Sequence, residues 1–365
     1  MNSPRRCSAM VLAAGQGTRM RSARPKPLHL LCGRPMAMYV LDSLADLDID
    51  RTVVVVGHGA EQVTKALQEQ AASDLGVTFV EQVVQRGTGD AVSIGLSAFE
   101  PSELDDEDVD IVVLPGDTPL LRSETITALV EAHAAAGAGA TMLTAILPDP
   151  TGYGRVVRDR DGRVARVVEH RDATDDELAI NEINTSVYCF RRNLLPAALR
   201  KVDTSNSQGE YYLTDVISVL RSAGYPIAAV VADDPWESSG VNDRRQLAES
   251  EVELRRRTNE KWMAAGVTMV DPASTYIDTT ARLAADVTIF PNTLIQGSSV
   301  IGEGVEIGPD VRLTDVAVGT GSRIQSTTAV DAEIGADCVV GPYVHLAAGA
   351  SVPSGTVTGP FYTAG

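Results

Sequence analysis

The sequence predicts an α/β protein in which a doubly wound, mainly parallel sheet is followed by a parallel β-helix. Two patterns predict these parts. Apolar strand runs alternate with helical spacing up to about residue 235, and a six-residue apolar repeat follows from Thr288. A chain of 365 residues also exceeds the usual size of a single hydrophobic core, so two or more domains are expected.

The first part contains short apolar runs, bounded by glycine or aspartate, that are typical of buried strands. Helical spacing lies between them, and this alternation favours parallel strands joined by helices. Ligands of such sheets bind beyond the carboxyl ends of the strands, so the loops after Ala13 and Leu114 form the candidate site. The predicted strands are Ser8–Ala13, Thr52–Val56 and Ile111–Leu114, and the predicted helices are Met36–Leu47, Glu61–Gln70 and Gly89–Phe99.

A long charged segment, Arg244–Ala265, has helical spacing and no strand partner, so we predict that it connects two domains. After Thr288, glycine often follows the periodic apolar residue, as at the corners of a parallel β-helix. The predicted domains are residues 1–243, a connecting helix over 244–266, and a β-helix over 267–365. The periodic residues fall in three runs: Ile289, Ile295, Ile301, Ile307 and Leu313; Val318, Ile324 and Val330; and Ile334, Val340, Leu346 and Val352.

The chain is acidic, with 49 Asp and Glu against 31 Lys and Arg and a net charge of −18. This balance argues against a general binder of nucleic acid or of anionic membranes, since both need basic surface. Every charged residue before Asp42, however, is basic. Such a local excess favours a small polyanion such as a phosphate ester, although a solvated surface patch is the alternative.

Four cysteines (Cys7, Cys32, Cys189 and Cys338) lie far apart with no C-x-x-C pair, which favours reduced structural thiols over a metal site. The apolar run Ala9–Ala14 follows two arginines, but it is shorter than the apolar region of a usual signal peptide. No later run approaches the ~20 apolar residues of a membrane helix. We therefore predict a cytoplasmic protein.

A glycine-rich loop follows the first predicted strand, where Gly15 and Gly17 let the backbone pass close to a phosphate. The loop matches neither a P-loop nor a dinucleotide fingerprint, so taken alone it is equally compatible with a plain strand-to-helix turn. Arg19 and Lys26 come just after it and could neutralise a triphosphate. Pro25 and Pro27 flank Lys26 and restrict its backbone.

The segment Leu12–Met20, with the pattern L-x-x-G-x-G-T-R-M followed by Pro25-Lys26, resembles the signature of sugar-1-phosphate nucleotidyltransferases. Further stretches resemble the bacterial family that joins an N-acetylglucosamine-1-phosphate uridylyltransferase to a β-helical glucosamine-1-phosphate acetyltransferase. The resemblance implies a Rossmann-like mixed sheet followed by a short left-handed β-helix. The stretches, in the family's order, are QVVQRGTG from Gln82, PGDTPL from Pro115, DPTGYGR from Asp149, VEHRDAT from Val168, EINT from Glu182, QGEYYLTD from Gln208 and GVN from Gly240.

The resemblance implies a role for each residue of the candidate site. Nucleotide binding falls to Leu12, Ala13, Ala14 and Gly15, with Gln82, Gly87 and Thr88 at the uracil and ribose. An amide suits the uracil edge because it carries a donor and an acceptor side by side. Gly154, Glu169, Asn184 and Tyr211 would hold the acetylated sugar. Without the resemblance each has a simpler interpretation: Gln82 as a surface residue, Gly154 as a turn glycine, Glu169 as a solvated carboxylate, Asn184 as a capping amide and Tyr211 as a core tyrosine.

The implied reaction is an in-line attack by the sugar-1-phosphate oxygen on the α-phosphorus of UTP, with pyrophosphate leaving. Arg19 and Lys26 would be the catalytic cations, and Asp117 with Asn242 would supply hard oxygen ligands to Mg²⁺. Asp117 follows a predicted strand, where an aspartate is otherwise often a helix cap or a turn residue.

Three departures from the family affect the expected function. Family members continue through more coils, Ala347 stands where the family has an arginine, and His345 occupies a position that is arginine in some members, so acetyltransferase activity is predicted to be absent. Ser186 replaces the usual glycine after E-I-N-T and adds a hydroxyl near the sugar pocket. The alternatives are a glucose-1-phosphate nucleotidyltransferase and a non-catalytic nucleotide-binding or assembly subunit. The family's β-helices also imply a homotrimer, although fewer coils leave a monomer open.

Overall fold

The computed structural model describes residues 5–70 and 76–364, and they divide into two compact units. The first unit comprises Pro35–Gln246 together with the described residues up to His29. The second comprises Leu30–Arg34 and the described residues from Leu247 onward, so the division falls inside the longest helix. The helices are α1 Met36–Asp42, α2 Ala60–Gln68, α3 Thr88–Leu96, α4 Pro101–Leu104, α5 Ser123–Ala136, α6 Asp175–Leu178, α7 Leu195–Leu199, α8 Asp215–Ser222 and α9 Arg244–Ala264.

The first unit is built on a mixed sheet. Its strands are β1 Arg6–Ala13, β4 Ile49–Val56, β5 Val77–Glu81, β6 Val109–Pro115, β7 Ala140–Ile146, β8 Arg155–Arg158, β9 Val164–Val168, β10 Glu182–Arg191 and β11 Ile227–Val231. Neighbouring strands follow the order β11-β7-β10-β6-β1-β4-β5, and β8 and β9 form a hairpin that joins the sheet through β10. Every neighbouring pair in that order is parallel except those of β10, which runs antiparallel to β6 and β7. A separate short pair, β2 Leu30–Leu31 and β3 Arg34–Pro35, consists mostly of residues that belong to the second unit.

The predicted doubly wound, mainly parallel sheet is confirmed. The central strands read as near-continuous apolar runs because both of their faces are buried, as in Thr52–Val56. Alternate residues of β1 enter two hydrophobic clusters, Met10 on one side of the sheet and Val11 on the other. The loops after β1 and β6 therefore lie at one edge, since the two strands are parallel neighbours.

The helices predicted between the strands end two to five residues early, and the largest difference is in the first of them. The sequence predicts Met36–Leu47, but α1 ends at Asp42 and the chain continues as turns. The Ser43 hydroxyl donates to the carbonyl of Val40 at 2.7 Å, and Leu44 N donates to Leu41 O at 3.1 Å. These short-range bonds satisfy the last carbonyls and compete with continuation of the helix.

The second unit stacks short parallel strands into three sheets, the arrangement of a β-helix. Paired strands lie one coil apart, as Thr288 pairs with Glu306 and Arg323 pairs with Val339. The strands are β12 Thr268–Met269, β13 Thr275–Ile277, β14 Arg282–Leu283, β15 Thr288–Ile289, β16 Thr293–Gln296, β17 Val300–Ile301, β18 Glu306–Ile307, β19 Val311–Thr314, β20 Ala317–Val318, β21 Arg323–Ile324, β22 Thr327–Val330, β23 Glu333–Ile334, β24 Val339–Val340, β25 Val344–Leu346, β26 Ser351–Val352 and β27 Thr363–Ala364.

The six-residue repeat predicts the inward-facing residues with one exception. The predicted periodic residues are buried except Val330, which is 39% exposed, and Ala329 faces the interior in its place. The step between inward residues therefore shortens to five on both sides of Ala329, from Ile324 and to Ile334, and the shorter steps are absorbed at the corners. Ser326 and Asp331, on either side of β22, both have positive φ angles of 43° and 45°, a conformation that aspartate tolerates better than most side chains.

Among the residues that the structure describes, no helix is both long and apolar enough to cross a membrane.

Candidate functional site

A cleft of about 800 Å³ opens in the first unit beyond the carboxyl ends of β1 and β6. It is a candidate ligand site on size, since small-molecule pockets span about 300–1,000 Å³. Fourteen of the lining residues were also predicted from the sequence as site residues: Leu12, Ala13, Ala14, Gly15, Arg19, Lys26, Gln82, Gly87, Thr88, Asp117, Gly154, Glu169, Asn184 and Asn242. The structure thus brings together residues that are up to 230 positions apart (12 to 242).

The glycine-rich loop takes a shape that requires glycine at Gly17. Its φ of 62° is left-handed, and an added Cβ would lie 2.8 Å from the Cβ of Lys26. The chain then turns through a short 3₁₀ helix, Thr18–Met20, and a second one, Lys26–Leu28, carries the lysine. The close approach of Gly17 therefore holds the loop against the lysine that follows it.

Two cations and two oxygen donors meet at this end of the cleft. The Lys26 ammonium contacts the Asp117 carboxylate and donates to Asn242 Oδ1 at 2.9 Å. Arg19 Nη2 donates to the same Asn242 oxygen at 2.9 Å. The backbone N–H of Asn242 donates to Gln246 Oε1 at 2.8 Å, which fixes the asparagine at the start of α9. We refer to Arg19, Lys26, Asp117 and Asn242 as the cationic cluster.

The donor set of the cationic cluster fits a hard divalent cation. The oxygens of Asp117 and Asn242 already converge on one positive atom, the Lys26 ammonium. Carboxylate and amide oxygens are ligands that Mg²⁺ accepts alongside water and phosphate. Because the Asp117 side chain is 27% exposed, a cation in the cleft can reach its carboxylate.

Gln82 is buried at the base of the cleft and its amide is oriented by its neighbours. Its Nε2 donates to Asp90 Oδ2 at 2.8 Å and to the Gly87 carbonyl at 3.3 Å. A carboxylate can only accept, so the NH₂ group must face Asp90. The amide oxygen is therefore left for a ligand, and Gln82 presents an acceptor where the sequence predicted both a donor and an acceptor.

Two segments distant in sequence are bonded together along the cleft. Gly89 N donates to Tyr211 O at 2.8 Å, and Tyr211 N donates to Arg86 O at 2.8 Å. Leu213 N donates to Thr88 Oγ1 at 3.0 Å. We call these bonds between Arg86–Gly89 and Tyr211–Leu213 the cross-cleft ladder. It requires glycine at Gly87, whose φ is 112° and whose Cβ would lie 2.5 Å from the carbonyl oxygen of Tyr211.

The other end of the cleft is acidic. Glu169 is largely buried there, and desolvation raises its pKa above the ordinary value of 4.5, with Asp215, Asp172 and Glu210 adding to the effect. The Thr214 hydroxyl donates to Glu169 Oε1 at 3.2 Å and partly opposes this shift. A carboxylate in this setting suits neutral donors such as sugar hydroxyls and repels phosphates. The cleft therefore has a cationic end and an acidic end.

A bulge in β10 shapes the wall beside Glu169. The pairing of β10 with β7 shifts register between Asn184 and Tyr188, and Ser186 lies between them with a φ of 63°. Ser186 N donates to Asn184 Oδ1 at 3.2 Å. A serine in the left-handed region is strained where glycine would not be. Bulges of this kind re-aim side chains at sites, and here Asn184 and Ser186 both line the cleft.

Tyr211 differs from the other predicted site residues. It is not among the residues that line the cleft, and its side chain is 36% exposed. Its backbone instead forms the cross-cleft ladder, and the neighbouring Tyr212 lines the cleft, with its hydroxyl accepting from Gln208 Nε2 at 2.8 Å. Alternation along the stretch QGEYYLTD could not decide between adjacent tyrosines.

Sequence reasoning also missed several lining residues. Tyr188 is one of them, and its buried hydroxyl has no hydrogen-bond partner among the described residues. It looks like an ordinary strand residue in sequence, so nothing distinguished it. Others stand inside the quoted motifs without having been singled out: Gln85, Thr118, Gln208, Glu210 and Thr214.

Comparison with known proteins places this sequence in a family. The family model for "Nucleotidyl transferase" matches residues 8–246, which is most of the first unit. The chain is 44% identical over 355 residues to "Bifunctional protein GlmU" of Shouchella clausii, covering 97% of this chain and 75% of that protein. It is 47% identical over 350 residues to the protein of the same name from Streptomyces avermitilis, covering 96% and 71%. With that of Streptomyces coelicolor it shares 46% over 365 residues, covering 100% and 74%.

Proposed function

This chain belongs to the GlmU family and, through residues 8–246, to the nucleotidyl transferases, and we propose that its cleft joins UTP to N-acetylglucosamine-1-phosphate. The products are UDP-N-acetylglucosamine, a precursor of peptidoglycan, and pyrophosphate. The observation that supports this site for the reaction is the polarity of the cleft, cationic at Arg19 and Lys26 and acidic at Glu169.

The polarity orients both substrates. The triphosphate would lie against the cationic cluster beside the glycine-rich loop, where Lys26 and Arg19 neutralise the charge that moves to the leaving pyrophosphate. The sugar hydroxyls and acetamido group would face Glu169 and Asn184. The oxygen of the sugar phosphate would then meet the α-phosphorus between the two ends. Catalysis rests on positioning and charge neutralisation, with no covalent enzyme intermediate.

Gln82 is proposed to select the base. Its free amide oxygen can accept from N3–H of uracil, whereas N3 of cytosine is itself an acceptor and would face it without a hydrogen. The bond from Gln82 to Asp90 prevents the amide from turning over to suit cytosine, because a carboxylate would then face an amide oxygen. The site therefore favours UTP over CTP.

Asp117 and Asn242 would hold Mg²⁺ in this proposal. When bound, the ion would add a positive charge next to the phosphates, in keeping with the hard oxygen donors at this end of the cleft. In the described structure Lys26 bridges the two oxygens. It would release them to a metal and turn its ammonium to the phosphates.

The test is pyrophosphate release from UTP and Mg²⁺ with three acceptors: N-acetylglucosamine-1-phosphate, glucosamine-1-phosphate and glucose-1-phosphate. Release with the acetylated sugar supports the proposal and shows that Ser186 does not block the acceptor. Release only with glucose-1-phosphate would change the substrate class. No release with any acceptor would favour a binding or assembly subunit.

We also propose that the β-helix does not transfer acetyl groups. The resemblance places an arginine at Ala347 and, in some members, at His345. His345 lies in β25 and Ala347 follows it, and neither side chain can supply a permanent positive charge. Acetyl-coenzyme A is an anionic acyl carrier, and without such charges it would lack positively charged partners at these positions. The matched assay is release of coenzyme A from acetyl-coenzyme A with glucosamine-1-phosphate, and rapid release would refute this part.

A homotrimer and a cytoplasmic location complete the proposal. Each of the three sheets of the β-helix exposes apolar side chains, for example Val300 on β17, Val330 on β22 and Val339 on β24, which suit packing against further copies. Light scattering would test the assembly, and a mass near one chain, 38.6 kDa, would refute the trimer. The location follows from the need for UTP, and the fraction of the protein recovered with cytosolic markers would test it.

A further inference from the structure

A second cluster of chemically capable side chains lies in the first unit, outside the cleft. Asp110, His133 and Cys189 come from β6, α5 and β10, and one potential ligand atom of each lies within 4.8 Å of the others. None of them lines the cleft. Asp110 is near the amino end of β6, whereas the cleft opens at the carboxyl end. We call these three residues the buried triad.

The sheet register explains why two members of the buried triad share a face. Cys189 pairs with Val112 across β10 and β6, and Asp110 lies two positions from Val112, so both side chains point to the same side. Helix α5 covers this face and brings His133 onto it. All three residues are at most 2% exposed, so an ionised group here needs a partner.

His133 is oriented as a metal ligand would be. Its Nδ1 lies 2.9 Å from Thr141 Oγ1, a hydrogen bond that fixes the ring. Its Nε2 is buried and has no hydrogen-bond partner among the described residues, and the nearest carboxylate oxygen, Asp110 Oδ1, is 3.5 Å away. If Nδ1 carries the hydrogen and donates to Thr141, Nε2 keeps a lone pair 3.5 Å from Asp110 Oδ1, within the cluster that also contains Cys189. Ligating histidines are held in this way by a partner on the second ring nitrogen.

From this geometry we propose that Asp110, His133 Nε2 and Cys189 bind one zinc ion. The combination of a thiolate, an imidazole and a carboxylate matches the ligands of zinc and not those of Mg²⁺, which prefers oxygen alone. Zinc bonds of about 2.0–2.3 Å need ligand atoms roughly 3.5 Å apart, so the triad must contract by about 1 Å. Small side-chain rotations provide this without moving the strands.

The charges around the buried triad are compatible with a bound dication. Arg5 Nε donates to both oxygens of Asp110 at 2.9 Å and can keep one of them when the other turns to the metal. With a thiolate and a carboxylate as ligands, the zinc charge is balanced inside the cluster. The ion would join β6, β10 and α5, three elements that are distant in sequence. Because the buried triad is shielded from solvent and lies outside the cleft, the ion would contribute to stability and not to the reaction in the cleft.

The test uses Co²⁺ as a spectroscopic substitute for zinc on the full chain after removal of metal with a chelator. A thiolate bound to Co²⁺ gives a charge-transfer band that oxygen ligands, such as those of the cationic cluster, do not give. We expect the band to saturate at about one equivalent and to disappear when zinc is added. Cys189→Ser should remove it. Thr141→Val, which frees the ring of His133, should weaken Co²⁺ binding about 10-fold or more.

Cys32 provides the matched control. Its thiol is also buried and lies 3.5 Å from a carboxylate, that of Glu251, so Cys32→Ser should leave the band unchanged. Far-ultraviolet circular dichroism verifies that each variant is folded, and His133→Gln replaces Cys189→Ser if the latter is not. Absence of a thiolate band in the wild-type protein, or a band that persists in both Cys189→Ser and His133→Gln, would overturn the proposal.

Discussion

Replacing Lys26 by methionine tests the cationic cluster while keeping the length of the side chain. The Lys26 side chain is 13% exposed, so water screens its charge only partly. Removal of one such electrostatic contact to the transition state costs about 3 kcal/mol. Since each 1.36 kcal/mol is tenfold in rate, we expect kcat to fall by roughly 10²-fold. Arg19 is exposed, so Arg19→Met should cost less, about tenfold.

The assay is pyrophosphate release at saturating UTP and N-acetylglucosamine-1-phosphate, so that kcat and not binding is compared. Lys65→Met is the control, because Lys65 is exposed on α2 and does not line the cleft. Loss of the partly exposed Lys26–Asp117 pair should lower the free energy of unfolding by no more than about 1 kcal/mol, which thermal denaturation would check. A Lys26→Met kcat within threefold of the Lys65→Met value would refute the assignment of Lys26 to catalysis.

Three further predictions concern the base, the acidic end and the bulge. Gln82→Ala should raise KM for UTP about tenfold or more and reduce the preference for UTP over CTP, measured as the ratio of kcat/KM values; an unchanged ratio would contradict the role of the amide oxygen. Burial raises the pKa of Glu169 above 4.5, so the native state binds its proton more tightly than the unfolded state, and the free energy of unfolding should fall as pH rises from about 4.5 through the raised pKa. Glu169→Gln should flatten that part of the stability profile and raise KM for the sugar phosphate, and a profile identical to wild type would exclude Glu169 as its source. Ser186→Gly should relieve the left-handed strain at a φ of 63° and raise the melting temperature, by an amount equivalent to about 1 kcal/mol, which differential scanning calorimetry would detect; a lower melting temperature would mean that the serine is not strained.

The architecture could be predicted from the sequence because the fold of each unit requires a particular pattern of apolar residues. Parallel strands buried on both faces need continuous apolar runs, and a β-helix needs an inward residue at each turn of the repeat. The sequence was ambiguous where turns could satisfy the last carbonyls of a helix as well as a further helical turn could. For this reason the predicted helix Met36–Leu47 ends early, at Asp42. Val330 was misassigned because a strict six-residue step from Ile324 selects it, whereas the coil places Ala329, five residues on, in the interior.

The candidate site was harder to predict than the fold, because its members meet only after the chain has crossed the sheet several times. The motif residues arrived at one cleft, including Asn242 and Lys26, whose contact no local pattern contains. Local patterns failed where orientation mattered. Neither the choice between Tyr211 and Tyr212 nor the direction of the Gln82 amide follows from sequence, since Asp90 decides the latter. His133 and its cluster left no motif at all, because their spacing is set by the strand order.

The cross-cleft ladder has a thermodynamic consequence for how binding of one substrate affects binding of the other. Arg86–Gly89 lies beside Gln82, on the side proposed for the nucleotide, and Tyr211–Leu213 precedes Thr214, which bonds to Glu169 on the side proposed for the sugar. If bound UTP orders these shared hydrogen bonds, the sugar phosphate can then bind without supplying the free energy needed to order them. Linkage then requires the two ligands to strengthen each other's binding by one and the same factor.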